Sequence, residues 1–170
     1  MNHLPRLIGA AAVALAFVMS AGAAVAAEDP LMRVKKLAGT WYAVNDKGET
    51  TDQVTATFRV TSNGHSVIET MFPGTASEMI NVYYRDVDHV LMTHYCAGGN
   101  QPILKLVPTT NPDIVAMEFV DITNMVTIDD EHMHEGKMQW LGSNRLKTEW
   151  RTFKRGRYTE SVNFELVRKP

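Results

Sequence analysis

Val54-Thr55-Ala56-Thr57-Phe58-Arg59-Val60-Thr61 alternates apolar and polar side chains at every step. A period of two places Val54, Ala56, Phe58 and Val60 on one face of an extended chain and the hydroxyls and Arg59 on the other, which predicts an antiparallel strand with one side in a core and one in water. The same pattern returns twice. Leu146, Thr148 and Trp150 alternate with Lys147, Glu149 and Arg151, and Val162, Phe164 and Leu166 alternate with Ser161, Asn163 and Glu165.

Between these segments lie shorter runs of the same kind, at 41–45, 66–72, 79–85, 90–96, 103–107, 114–121 and 137–141. Each is bounded by turn residues, such as Asn63-Gly64, Pro73-Gly74, Gly98-Gly99-Asn100, Asn111-Pro112-Asp113 and Arg155-Gly156. Connections this short describe a meander of about eight to ten strands. The exception is 123–136, a longer and weakly patterned stretch that reads as a loop. Helical spacing occurs once, at Leu31, Val34 and Leu37, before Gly39 stops it, and predicts a short N-terminal plug. A long meander must protect its edge strands, and closing the sheet on itself removes them. The expected fold is therefore all-β, an antiparallel up-and-down barrel, with a β-sandwich as the competitor.

The 170 residues divide unequally. Residues 1–27 carry Arg6, an apolar run from Leu7 to Val18 and small residues Ala24-Val25-Ala26-Ala27, the three-part form of a secretory signal peptide. Export to a periplasm or beyond the cell is the expectation, with 28–170 forming one barrel domain and no transmembrane segment after cleavage. A formal net charge of −2 offers no clustered basic surface and excludes nucleic acid as the main partner. Cys96 is the single cysteine, so an internal disulfide cannot form and the core must supply the stability.

The helical turn followed by Gly39-Thr40-Trp41 resembles the Gly-x-Trp opening of the calycin superfamily, which includes lipocalins, fatty-acid-binding proteins and nitrobindin-like haem barrels. The resemblance implies a barrel closed at one end by Trp41, with Arg168 of the last strand stacked on the indole and Gly39, Trp41 and Arg168 in structural roles. The chain lacks a Thr-Asp-Tyr motif, a cysteine pair, the helix-turn-helix of fatty-acid-binding proteins and the glycine-rich extension of the nitrobindin motif.

Chemistry concentrates at Thr93-His94-Tyr95-Cys96-Ala97-Gly98-Gly99-Asn100-Gln101. Alternation sends His94 and Cys96 to one face, taken as inward, and Tyr95 to the other. His94 and Cys96 are candidates for a base and nucleophile pair, against a reading as packed core groups. Glu69 interrupts the apolar run 67–72; facing inward it would be a carboxyl needing a partner or a raised pKa, and so a third catalytic candidate. His132 and His134 flank Met133 after an acidic run, and extended backbone would aim both imidazoles at one metal, with His94 as a possible third ligand. Haem would need only one of these histidines, or Tyr83, Tyr84 or Tyr95.

Methionines at 32, 71, 79, 92, 117, 125, 133 and 138 suit a pocket for an apolar molecule, or a filled core. The leading expectation is a small hydrophobic ligand inside the barrel, contacted by His94, Tyr95, Asn100, Gln101, His132, His134 and Trp140. A haem or divalent-metal protein or small enzyme is the second reading. A structural envelope domain with a filled core is the third.

Overall fold

A computed structural model describes residues 28–169, so the expected signal segment lies outside the described residues. One short helix, α1 (Pro30–Lys35), precedes ten strands: β1 (Gly39–Val44), β2 (Thr50–Thr61), β3 (Ser66–Met71), β4 (Met79–Asp86), β5 (His89–Tyr95), β6 (Gln101–Pro108), β7 (Ile114–Thr123), β8 (His132–Trp140), β9 (Arg145–Lys154) and β10 (Arg157–Arg168). Each pairs antiparallel with its sequence neighbours, and β10 returns to β1 to close the barrel. The expected all-β up-and-down barrel is what the chain forms, and this closed ten-stranded barrel is consistent with a calycin-like fold.

Helix α1 begins where Asp29 accepts a hydrogen bond from the Met32 N–H at 3.1 Å, with Pro30 in the first turn, where its missing donor costs nothing. Leu31, Val34 and Leu37 then point into one end of the barrel and are buried there. Trp41 lies over them, fully buried, its indole N–H donating to the Leu37 carbonyl at 2.7 Å.

Arg168 completes this closed end. Its guanidinium sits 5.1 Å from the Trp41 ring centroid and donates to the carbonyls of Lys36, Ala38 and Ser143 and to the Asn144 side chain. Gly39 makes room for it. A Cβ there would stand 3.0 Å from Arg168 Cδ, and φ of +132° is a conformation that side chains resist. The structural roles expected for Gly39, Trp41 and Arg168 thus have a direct physical cause.

Two local departures from simple alternation occur. A bulge opposite Trp41 and Tyr42 adds one residue to β2, so Thr55 turns inward beside Ala56 while Val54 is only half-buried. Second, β8 starts at His132, so the C-terminal part of the expected loop 123–136 is strand and the loop proper spans only 124–131. The strand was masked by a register shift between Met133 and Glu135, which breaks the two-residue period.

Outside, charged side chains pair across strands, with Lys137 to Glu149 at 2.6 Å and Arg151 to Glu135 at 2.8 Å. Apolar inside and charged outside is the reverse of a lipid-facing barrel. Among the described residues no helix is long and apolar enough to cross a membrane.

The closed half of the barrel is filled by Leu104, Met92, Met117, Met138, Leu146 and Leu166. Gly136 sets the upper limit of this packed layer. It lies opposite Trp150 on β9, and a Cβ would come to 2.7 Å from Met117 Cε, 2.8 Å from the Glu149 carbonyl and 3.3 Å from the Trp150 ring. Backbone cannot yield as a flexible side chain does, so Gly136→Ala is expected to lower stability by about 1–3 kcal/mol, as overpacking does. Urea unfolding measures this; an unchanged midpoint would mean that the Trp150 layer is loosely packed.

Candidate functional site

Above that layer the barrel is hollow. A cavity of about 400 Å³ opens at the end opposite α1, with Met71, Met79, Met133, Phe72, Phe164 and Val162 as its apolar wall and His94 and Trp150 among its deepest residues. The volume lies within the range of small-molecule sites. A groove of about 520 Å³ on the outer face of β7–β9 is larger, but it is lined by Glu118, Glu135, Lys137, Glu149 and Arg151, which already pair with one another in part. It lacks the apolar enclosure of the barrel site.

Three adjacent strands build a buried polar relay behind the wall. Alternation along β3, β4 and β5 puts Glu69, Asn81 and His94 in one row across the sheet, since Glu69 is registered with Asn81 and Asn81 with His94. All three are at most 4% exposed. Tyr83, two residues along β4, donates its hydroxyl to Glu69 Oε2 at 2.5 Å, and the Asn81 amide N–H donates to the same oxygen at 2.7 Å.

The Asn81 carbonyl oxygen therefore faces His94, 2.7 Å from Nδ1. A carbonyl can only accept, so Nδ1 carries the proton and Nε2 of the neutral ring is left as a bare acceptor. Each link fixes the orientation of the next.

Burial governs the protonation of these groups. Desolvation pushes the Glu69 carboxyl above its ordinary value, against the hydrogen bonds from Tyr83 and Asn81, and it raises the Tyr83 phenol well above 10, so that hydroxyl stays a donor. His94 is lowered to about 4 by desolvation and is neutral at physiological pH.

Of the other expected residues, Cys96 shares the cavity wall with His94, as the alternation indicated, but its Sγ accepts a hydrogen bond from the Gly98 N–H at 3.3 Å while His94 is turned to Asn81. Tyr95 faces the other way and is half exposed. Asn100 and Gln101 brace loops: Asn100 donates to the Glu131 carbonyl at 3.0 Å, and Gln101 donates to Gly99 and accepts from Thr123. Trp140 belongs to the closed end, where the Arg33 guanidinium lies 3.9 Å from its ring centroid.

The histidine pair divides between two surfaces. His132 lines the cavity mouth, whereas His134 is stacked between Phe119 and Phe153, with ring centroids 4.2 and 4.4 Å away, on the outer groove. The two imidazoles touch, His132 Nε2 lying 3.1 Å from His134 Nδ1, while His132 Nδ1 is 3.2 Å from the Asp130 carbonyl. In the neutral pair His132 donates to that carbonyl and accepts from His134, so both inner nitrogens are used. Desolvation, followed by His132, lowers the His134 pKa. The acidic run before them has its own tasks: Asp130 accepts from the Val126 and Thr127 N–H groups, Asp129 pairs with Arg155, and Glu131 accepts from the Thr159 hydroxyl.

Among the described residues no group of three or more His, Cys, Asp or Glu side chains is placed to hold a metal ion. His94 has the form of a single metal-binding imidazole, with one nitrogen anchored and the other free. Haem also carries two carboxylates, and none of the described cavity-lining residues is Lys or Arg, while Glu131 stands at the mouth. The lining does not fit haem.

Sequence reasoning missed Asn81 and Gly136 and placed Trp150 only on the apolar face of a strand. Asn81 carried a usable signal: it is an amide between Ile80 and Val82 on a strand whose partner presents Glu69. No protein-family model matches the chain, and no curated protein matches it.

The relay makes stability depend on pH in a traceable way. Unfolded His94 titrates near its ordinary value of 6.5, and the folded ring only near 4. Between these values the unfolded state holds the extra proton, so the His94 contribution is intact above about pH 6.5 and falls by about 3 kcal/mol as pH drops to 4. Raised Glu69 acts oppositely, favouring the folded state as pH falls toward 4.5. The difference between wild type and His94→Gln isolates the histidine: urea midpoints should converge as pH is lowered from 7 to 4, and parallel curves would refute the assignment. Glu69→Ala strands the Tyr83 and Asn81 donors and should destabilise by roughly 2–6 kcal/mol, at about 1–3 for each unsatisfied group.

Proposed function

We propose that this is an exported binding protein that holds a small, uncharged, largely apolar molecule in the open half of its barrel. The observation that carries the proposal is the division of the interior. Side chains fill the barrel up to the Gly136–Trp150 layer, and above it an apolar cavity of about 400 Å³ remains, against a structural domain that would be filled throughout.

Its lining has the composition of ligand sites, with an apolar wall and a few oriented polar groups at one spot. Methionine and phenylalanine adapt to the shape of an apolar guest, and burying such a guest yields about 25 cal/mol for each Å² removed from water. Export rests on the form of residues 1–27. Binding is favoured over a base and nucleophile pair because Cys96 Sγ accepts from the Gly98 N–H while His94 is turned to Asn81.

The test is direct. Purified protein titrated with the uncharged fluorophore N-phenyl-1-naphthylamine should show saturable emission enhancement at one site per chain, and organic extracts of protein from its own host should contain the natural guest. Met79→Trp, which adds bulk at the half-buried cavity wall, should weaken the fluorophore at least tenfold while leaving the unfolding midpoint within about 1 kcal/mol. A protein that gives no enhancement and no extractable molecule is not a carrier.

A further inference from the structure

The wall of the cavity is largely apolar, with Glu131, His132 and Thr152 among its polar members, and two of its deep residues carry polar groups of opposite sense that have no partner. His94 offers Nε2, since Nδ1 is committed to the Asn81 carbonyl oxygen. Trp150 offers its indole N–H, which is buried and has no partner. The two rings are near neighbours, 6.4 Å between centroids and 24° from parallel, and both side chains line the same cavity.

A buried donor left unpaired costs about 1–3 kcal/mol, so a guest that satisfies it is selected for. The Trp150 nitrogen is useful only if something accepts from it.

We propose that the site is specific for a molecule with an apolar body and a neutral hydroxylic head, an alcohol or phenol, whose O–H donates to His94 Nε2 while its oxygen accepts from the Trp150 N–H. This deepens the carrier reading and rests on it. A hydroxyl is the smallest group that donates and accepts at one atom. The alternatives fit less well. A carboxylate has no proton for His94 and would be buried without a cation, because none of the described lining residues is Lys or Arg. A hydrocarbon leaves both positions empty. An ammonium head could donate to His94, but its charge would be desolvated and it has no lone pair for Trp150.

The relay is what makes His94 a dependable acceptor. Tyr83 and Asn81 both donate to Glu69 Oε2, which forces the Asn81 oxygen toward His94 and the ring proton onto Nδ1. Without that chain a neutral imidazole would be free to present either N–H or lone pair to the cavity. Glu69, Asn81 and Tyr83 are thus positioning residues and do not touch the guest.

Competition against bound N-phenyl-1-naphthylamine at pH 8 distinguishes the possibilities, using decane, 1-decanol, decanoate and decylammonium as probes. The expected result is 1-decanol tighter than decane by about tenfold or more, with decanoate and decylammonium both weaker than the alcohol. In Trp150→Phe the advantage of 1-decanol over decane, read as a ratio within the same variant, should fall to about threefold or less. Asn81→Leu removes the oxygen that holds the ring proton on Nδ1 and should reduce the alcohol's advantage while the indole is intact. Decane and 1-decanol binding equally, or decanoate binding as tightly as the alcohol, overturns the hydroxyl assignment and leaves the carrier reading standing. Failure of the fluorophore and of all four probes to bind overturns both.

Discussion

The closure of this barrel depends on one short seam. β1 and β10 share only three residue pairs, Trp41 with Arg168, Tyr42 with Val167 and Ala43 with Leu166. Three pairs are little to hold the two ends of a ten-stranded sheet together, and the Arg168 guanidinium reinforces them. Its planar fork reaches backbone oxygens from the segment after α1 and from the β8–β9 turn, while its stem fills the space left by Gly39 and its face meets Trp41. One side chain thus joins the first strand, the last strand and a turn between them, in a fixed geometry that a lysine could not reproduce.

From that closed end upward the interior changes character in layers. Close packing of Leu and Met side chains gives way at Gly136 to a single indole, and the indole to open space. The polar relay enters from one side only, through three neighbouring strands, and is satisfied outward from the cavity: a phenol and an amide on the carboxyl, the amide on the imidazole. Burying such a network is costly unless every member is paired, and low local dielectric strengthens each bond that does form. Here every member is paired with at least one other, and the imidazole nitrogen left toward the cavity has no partner. The barrel therefore has a polar spot that is rigid in position and in hydrogen-bonding sense, within walls of adaptable thioethers and rings.

Much of this was legible in the sequence. The alternating runs located nearly every strand because one face of each is buried and the other wet, and the inward direction of His94 and Cys96 followed from the same parity. Of the eight methionines noted, Met71, Met79 and Met133 line the cavity, Met92, Met117 and Met138 fill the core, and Met32 and Met125 are exposed. What failed did so where parity fails. Bulges shifted Thr55 inward and split His132 from His134, and no local pattern announces a bulge. Nor could the relay be foreseen as a unit, because Glu69, Asn81 and His94 are joined by cross-strand register, a non-local property. Trp140 illustrates the converse: its aromatic character suggested the ligand site, but the length of β8 carries it to the opposite end.

The shortness of the seam has a mechanical consequence. Beyond Glu165 toward its start, β10 is registered with β9 along nearly its whole length but with β1 nowhere, so this part of the wall is fastened along one edge. Across the gap Phe72, at the end of β3, meets Phe164 edge-to-face at 5.4 Å, and both rings also border the cavity. The upper part of the β9–β10 hairpin is therefore held by the β8–β9 ladder on one side and, on the other, by the contact of these two aromatic rings. On that side no interstrand ladder joins β10 to β1, and side-chain packing alone closes the wall above the seam.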